Sequence, residues 1–386
     1  ETEAESNLWR GCFQPWRAKP IGFSVCWEEG VAYYTTDSIK CIRQWLENPA
    51  IPKLAHNAKY EEHVCAAQGI TVQNLHCSKL MAYVLREPST HLKDLTWNRL
   101  GLEQTRFEEV DWGDDAQVAQ YGAADSDMTL RLGHKLGAEL KKRGLWDVYD
   151  KIERPCIGPL AQMERSGIRL NQLPLIQLKQ RLEMRLEVLD WKLAQLYPHD
   201  VNWRSPVQKA QVLYGPDKWR VVPRAHLKTR THIDYIPPGF GLPDQGSTDL
   251  EALRRLDHPI ARLLVERSAV ATCVSKDLTA LPNLVAEDGR VHTTYHQAGG
   301  WEEGGGEDKA APETGRLSSS SPNLQNITHH GDTTRPYIAG WARPIRRAFC
   351  AAPGNVLVKA DIGQEEPRIT ALLADDKQLI ADLTPP

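Results

Sequence analysis

The first 145 residues read as an α/β fold, after which the 386-residue chain turns mainly helical. Short apolar or alternating runs, Ile21-Gly-Phe-Ser-Val-Cys-Trp27 and Gly30-Val-Ala-Tyr-Tyr34, come before a helical pattern at 39–46; strands followed by helices are the α/β order. Further on, Leu175, Leu178, Leu182, Leu186, Leu189 and Leu193 recur at three- and four-residue spacing. That spacing lays one apolar stripe along a long helix.

Taken in order, a further apolar approach leads into His56-Asn57, and helical periodicity dominates 61–140, including Ser78-Lys-Leu-Met-Ala-Tyr-Val-Leu85 and 115–140. The α/β part closes near 145. Ile152, Ile157, Leu160 and Met163 mark an amphipathic helix over 149–167, interrupted at Pro155 and Pro159 and stopped at Gly167. The helix over 174–196 is expected to pack as half of an antiparallel pair. Residues 198–247 are rich in proline, glycine and tryptophan and read as irregular; helices resume at 249–256 and 259–281. The acidic, glycine-rich 299–309 is a flexible loop. Finally, Asn355-Val-Leu-Val-Lys-Ala360 reads as a strand delivering Asp361 to the helix start Gly363-Gln364-Glu365-Glu366-Pro367-Arg368.

With 41% hydrophobic residues the chain can bury two or three domain cores. No run approaches the roughly 18 apolar residues of a membrane span, and the polar N-terminus lacks the core of a secretory signal, so the expected location is cytoplasmic. The eight cysteines are scattered without Cys-x-x-Cys pairs. Neither a disulfide framework nor structural zinc is indicated. A net charge of −3 gives no basic excess of the kind nucleic-acid binders usually carry. Local bias is present: Lys141-Lys142-Arg143 opens a basic middle, and acids gather at 1–5, 108–115 and 302–308.

Tyr121 and Asp125 are four apart in a helical segment and share a face, where a phenol and a carboxylate can orient water beside a metal. Glu1 and Glu3, two apart on an extended strand, share a face as well. With Glu61 and Asp125 they make a set of four carboxylates able to hold two divalent ions. The plainer alternatives stay open: a solvated acidic terminus for Glu1 and Glu3, and a helix first turn for Glu61. Asp361 reads equally as a metal ligand or a helix N-cap.

His56-Asn-Ala-Lys-Tyr-Glu61, His91-Leu-Lys-Asp-Leu95 and Tyr121-Gly-Ala-Ala-Asp125 stand in an order that resembles the 3′ to 5′ proofreading domain of family A DNA polymerases. Further landmarks continue the resemblance: Met163-Glu164-Arg-Ser-Gly167, Asn202-Trp-Arg-Ser205-Pro206, Thr314-Gly-Arg-Leu-Ser-Ser-Ser-Ser-Pro-Asn-Leu-Gln-Asn326, Arg346-Arg347-Ala-Phe349 and Asp361-Ile-Gly-Gln-Glu-Glu-Pro-Arg368. The family pattern at the last is Asp-Tyr-Ser-Gln-Ile-Glu-Leu-Arg, so Glu365 stands where a hydrophobic residue is usual. Glu61 stands where aspartate is usual. Either Glu1-Thr2-Glu3 is the family's opening Asp-Thr-Glu motif, or Glu1 is its glutamate and the aspartate lies before residue 1; the second register is favoured.

The resemblance implies a ribonuclease H-like exonuclease domain (1–145), a connecting helix and helical thumb (146–290), and a partial α+β palm (291–386) without fingers. It implies catalytic roles for Glu1, Glu3, Glu61, Tyr121, Asp125 and Asp361, with all but Tyr121 ligating magnesium or manganese in two-metal sites. DNA would be held by Asn57, Lys59, Arg316, Asn323, Gln325, Asn326, Arg346, Arg347 and Arg368, and the nucleotide by Gln364 and Glu366. The expected partners are primer-template DNA, single-stranded 3′ ends and deoxynucleoside triphosphates, acting on a monomer. Because the match ends inside the palm, the chain by itself is not expected to polymerise. A free-standing exonuclease and a non-catalytic DNA-binding remnant are the alternatives.

Overall fold

The computed structural model describes residues 8–9, 12–197, 199–214, 248–256, 258–298, 314–327 and 339–384. The α/β part is built on an antiparallel hairpin, Phe23–Glu28 with Val31–Thr35. Gly30 makes the turn at φ +84°, a conformation that glycine adopts without a Cβ clash. The hairpin lies on the long helix Asp115–Lys142. Two polar contacts fix it there: Ser24 and Ser126 share a 2.6 Å hydrogen bond, and the Gly30 N–H donates to Asp127 at 2.8 Å.

A parallel pair comes next, Lys53–Ala55 with Leu75–Cys77, joined through the helix Ala58–Ala67 as a parallel pair requires. The long helix starts at Asp114, whose carboxylate accepts the Ala116 N–H at 2.9 Å, an ordinary N-cap. It buries Leu132, Leu136 and Leu140 against Leu80, Met81 and Leu95. At Gly133 a Cβ would lie 2.0 Å from the Leu54 side chain, so helix and sheet approach this closely only because that residue is glycine. Tyr149 closes this core, its hydroxyl accepting the Cys77 N–H at 2.9 Å.

The expected helix over 149–167 forms in three pieces: a π-helical turn Tyr149–Glu153, a 3-10 turn Arg154–Cys156 holding Pro155, and the α-helix Ile157–Ser166. Gly167 ends it at φ +53°, and a Cβ there would meet the His292 ring at 2.8 Å. The next helix, Gln172–Leu196, buries the leucine stripe against Pro259–Thr272 and its continuation. The two run antiparallel: Leu193 shares a core with Ile260, while Leu175 and Leu178 share one with Leu278 and Leu281. Arg185 to Glu266 (2.8 Å) and Arg267 to Asp190 (3.1 Å) tie the rims.

One stretch read as irregular contains a helix, Pro206–Tyr214. Ala210, Val212 and Leu213 bury into the Leu193 and Leu253 core, so tertiary packing outweighs the proline-rich surroundings; 215–247 lie outside the described residues. The acidic loop expected at 299–309 lies outside them as well.

Two compact units are distinguished, 1–349 and 350–386. The second holds the helices Glu365–Leu373 and Lys377–Leu383. The strand expected at 355–360 does not form among the described residues. Val356 and Val358 are 82% and 87% exposed, and a strand needs a partner for its ladder.

Candidate functional site

Asp125 sits half-buried on the long helix and is surrounded by donors. Gln104 Nε2 donates to Asp125 Oδ1 at 3.1 Å, and Lys93, from the short helix Leu92–Leu95, places its ammonium on the same oxygen. Tyr121, one turn earlier, also hydrogen-bonds the carboxylate. The Gln104 amide is oriented by the buried Thr96, whose hydroxyl donates to Gln104 Oε1 at 2.9 Å. The Lys93 ammonium also lies 4.3 Å from the centre of the Tyr121 ring, a cation–π contact, and the Trp112 and Tyr121 rings meet in a T-shaped arrangement with centres 5.8 Å apart. Burial pushes the Asp125 carboxyl above its usual range, with the Lys93 hydrogen bond and charge pulling the other way.

Asn57, Lys59 and Glu61 open the helix Ala58–Ala67. Asn57 and Glu61 are exposed, and Glu61 lies in the first turn, where the helix dipole favours a carboxylate. Lys59 has a different surrounding from the DNA contact expected of it. Its ammonium is turned inward onto Glu164 and the Tyr295 carbonyl. Glu164, with only 3% of its side chain exposed, also accepts His63 Nε2 at 2.6 Å and the Tyr295 N–H at 2.6 Å. Burial acts to raise the Glu164 carboxyl, but the His63 and Lys59 contacts prevail and hold it below the ordinary carboxylate value. Trp16 packs between the rings of His63 and His292, 5.1 and 5.2 Å away. This buried cluster joins the α/β part to the strand Thr294–His296.

That strand pairs antiparallel with Ser318–Ser320 in the motif 314–327. Asn323 Oδ1 caps the next turn by accepting the N–H groups of Gln325 (3.1 Å) and Asn326 (3.2 Å). Gln325 donates its amide to the Leu317 carbonyl at 2.9 Å. Arg316, Gln325 and Asn326 are exposed, and Asn323 is half-buried. The loop therefore presents an arginine and two amides on a backbone that its own asparagine has fixed. Arg346 and Arg347 are exposed in the last turn of the helix Ala339–Ala348.

In the second unit, Asp361 is exposed. The cap position of the helix Glu365–Leu373 belongs to Gln364, at φ +57°, so Asp361 is not that helix's N-cap. Glu365 and Glu366 lie exposed in its first turn, and Arg368 donates to the Gly363 carbonyl at 3.0 Å. The hydrophobic residue usual at 365 would find no core here.

Among the described residues no three His, Cys, Asp or Glu side chains are grouped to hold a metal; Glu1 and Glu3 lie outside the described residues. Sequence reasoning gave no role to Lys93, Gln104, Glu164 or His63. Their partners are 32, 21, 105 and 101 residues away, and no local spacing carries that information.

The family described as DNA polymerase family A matches residues 173–384, and the one described as 3′-5′ exonuclease matches 17–141. The chain is 33% identical over 360 residues to DNA polymerase I of Chloroflexus aurantiacus, covering 89% of this chain and 35% of that protein. It is likewise 33% identical over 350 residues to DNA polymerase I of Synechocystis, covering 87% and 32%. The chain thus spans about a third of the length of these curated relatives. Among solved structures, the POL domain of Pol1 from M. smegmatis, in complex with DNA primer-template and dNTP, aligns with a TM-score of 0.70 at 27% identity, covering 89% of this chain and 53% of that one. With one family pattern spanning more than half its length and an exonuclease pattern before it, the chain belongs to DNA polymerase family A.

Proposed function

We propose that this chain is the DNA-gripping part of a family A DNA polymerase acting in replication or repair. Its first 145 residues form a ribonuclease H-like exonuclease-type domain, 146–290 the connecting helix and thumb, and 291–386 the first part of the palm. The observation that carries the reading is the motif 314–327, held rigid by the Asn323 cap and the pairing with Thr294–His296. The minor groove offers acceptors at similar places for all base pairs, so exposed arginine and amide groups on a fixed backbone check duplex shape without reading sequence. Arg316, Gln325 and Asn326 supply these groups, and Asn323 sets their position. Arg346, Arg347, Arg368 and the helical pair Gln172–Leu196 and Pro259–Thr272 hold the phosphate backbone, while Gln364 and Glu366 face the incoming nucleotide. Asn57 lies toward the single-stranded 3′ end.

The two carboxylate sites differ in how well they suit magnesium or manganese. Asp361 is open to solvent and fits a metal ligand; a magnesium ion bound there would neutralise charge on the incoming triphosphate. Asp125 does not fit in the same way, because a protein cation and an amide already occupy its Oδ1. Fluorescence anisotropy of a labelled primer-template in low salt tests the grip. Arg316→Ala/Asn326→Ala is expected to weaken binding about tenfold, or about 1.4 kcal/mol; unchanged affinity would remove the role given to 314–327.

A further inference from the structure

The side chains around Asp125 are themselves held in place. Lys93 is fixed twice, by the Asp125 carboxylate and by the Tyr121 ring face 4.3 Å away. Gln104 is fixed twice as well, accepting from Thr96 at 2.9 Å and donating to Asp125 at 3.1 Å. Tyr121 adds a further hydrogen bond to the carboxylate. A divalent cation bound to Asp125 would sit roughly 2.0 to 2.6 Å from a carboxylate oxygen, in the space this ammonium already fills. Sharing that space would set like charges a few ångströms apart in a half-buried site, a repulsion that poorly screened surroundings make costly.

We propose that the Lys93 ammonium is the chain's own cation at Asp125, taking the place of a divalent metal and making Lys93 the residue that decides whether this exonuclease-type pocket binds one. The inference deepens the reading of residues 17–141 and rests on it. Lys93 is a specificity-determining residue whose charge and reach, rather than the carboxylate count, set the metal content of the pocket. Thr96 and Gln104 are positioning residues that keep Asp125 turned toward it.

The test is Mn2+ titration of the full chain at pH 8, read by loss of the free-ion EPR signal. Wild type and Asp125→Asn are expected to bind Mn2+ identically. Lys93→Met is expected to gain one site at least tenfold tighter than anything dependent on Asp125 in wild type. Lys93→Met/Asp125→Asn should lose that site again, and Lys93→Arg, which keeps the charge, should not gain it. Circular dichroism checks folding, and Lys93→Gln replaces the methionine variant if that one does not fold. Wild-type binding that falls on Asp125→Asn, or a neutral Lys93 variant that binds no more than wild type, would overturn the proposal. Binding of a labelled single-stranded 3′ end, measured separately, tells failure of this inference from failure of the exonuclease-type reading of 17–141.

Discussion

His56 ties separate segments of the α/β part together, and the tie makes stability depend on pH. Its Nε2 lies 2.9 Å from the Thr90 carbonyl, which can only accept, so Nε2 carries the proton and Nδ1 accepts from the Ser78 hydroxyl, also at 2.9 Å. The neutral ring with its proton on Nε2 satisfies both partners, and burial favours that uncharged form. Burial, with the nearby Lys79 charge second, lowers its pKa from 6.5 to about 3. A histidine depressed on folding contributes stability that is complete above its unfolded value and is lost as pH falls through 6.5 toward the folded one. Urea unfolding at pH 7 and pH 5 should therefore show about 2 kcal/mol of pH-dependent loss from this group. In His56→Gln that increment should vanish, and an equal pH dependence in both proteins would contradict the assignment. At the Asp125 pocket the sequence reveals only part of the site. Tyr121 and Asp125 share a face by helical spacing, which is legible; that Lys93 and Gln104 meet them depends on how separate elements pack, which is not.

Among the elements, the helix Gln172–Leu196 is the one whose sequence stated its structure most fully. Leucines recur there every third or fourth residue, and Leu175, Leu178, Leu182, Leu189 and Leu193 are buried as that period requires. The stretch 355–360 shows the opposite case. A strand is a pairing as well as a pattern, and its apolar run meets no partner among the described residues. The helix Pro206–Tyr214 was hidden because composition signals irregularity while its buried face is set by distant leucines. Energies divide in the same way. Leu189, 0% exposed, should cost about 3 kcal/mol when replaced by alanine, since a fully buried leucine leaves a cavity. Arg267→Ala, which breaks a partly exposed pair with Asp190, should cost only about 1 kcal/mol. Urea melts of the two variants check the ranking, and a larger loss for Arg267→Ala would mean that ion pairs rather than leucines hold the two helices together.

At the scale of the molecule, the buried cluster around Glu164 connects the helix that opens with Asn57 to the strand that pairs with 318–320. The exonuclease-type region and the 314–327 loop are thereby parts of one packed body. Order along the sequence made this legible in outline, because collinear motifs indicate successive regions of one family. The junction itself was not legible, since the resemblance assigns Lys59 to DNA and includes Glu164 only within a landmark motif, while their contact joins residues 105 apart. The proposed grip of 314–327 and of the helical pair 172–196 and 259–272 on duplex DNA predicts where the full chain is protected. Hydrogen–deuterium exchange of the full chain with and without primer-template measures this most directly: protection concentrated in those three segments is the predicted result, and unchanged exchange there, with protection elsewhere or nowhere, would contradict the account.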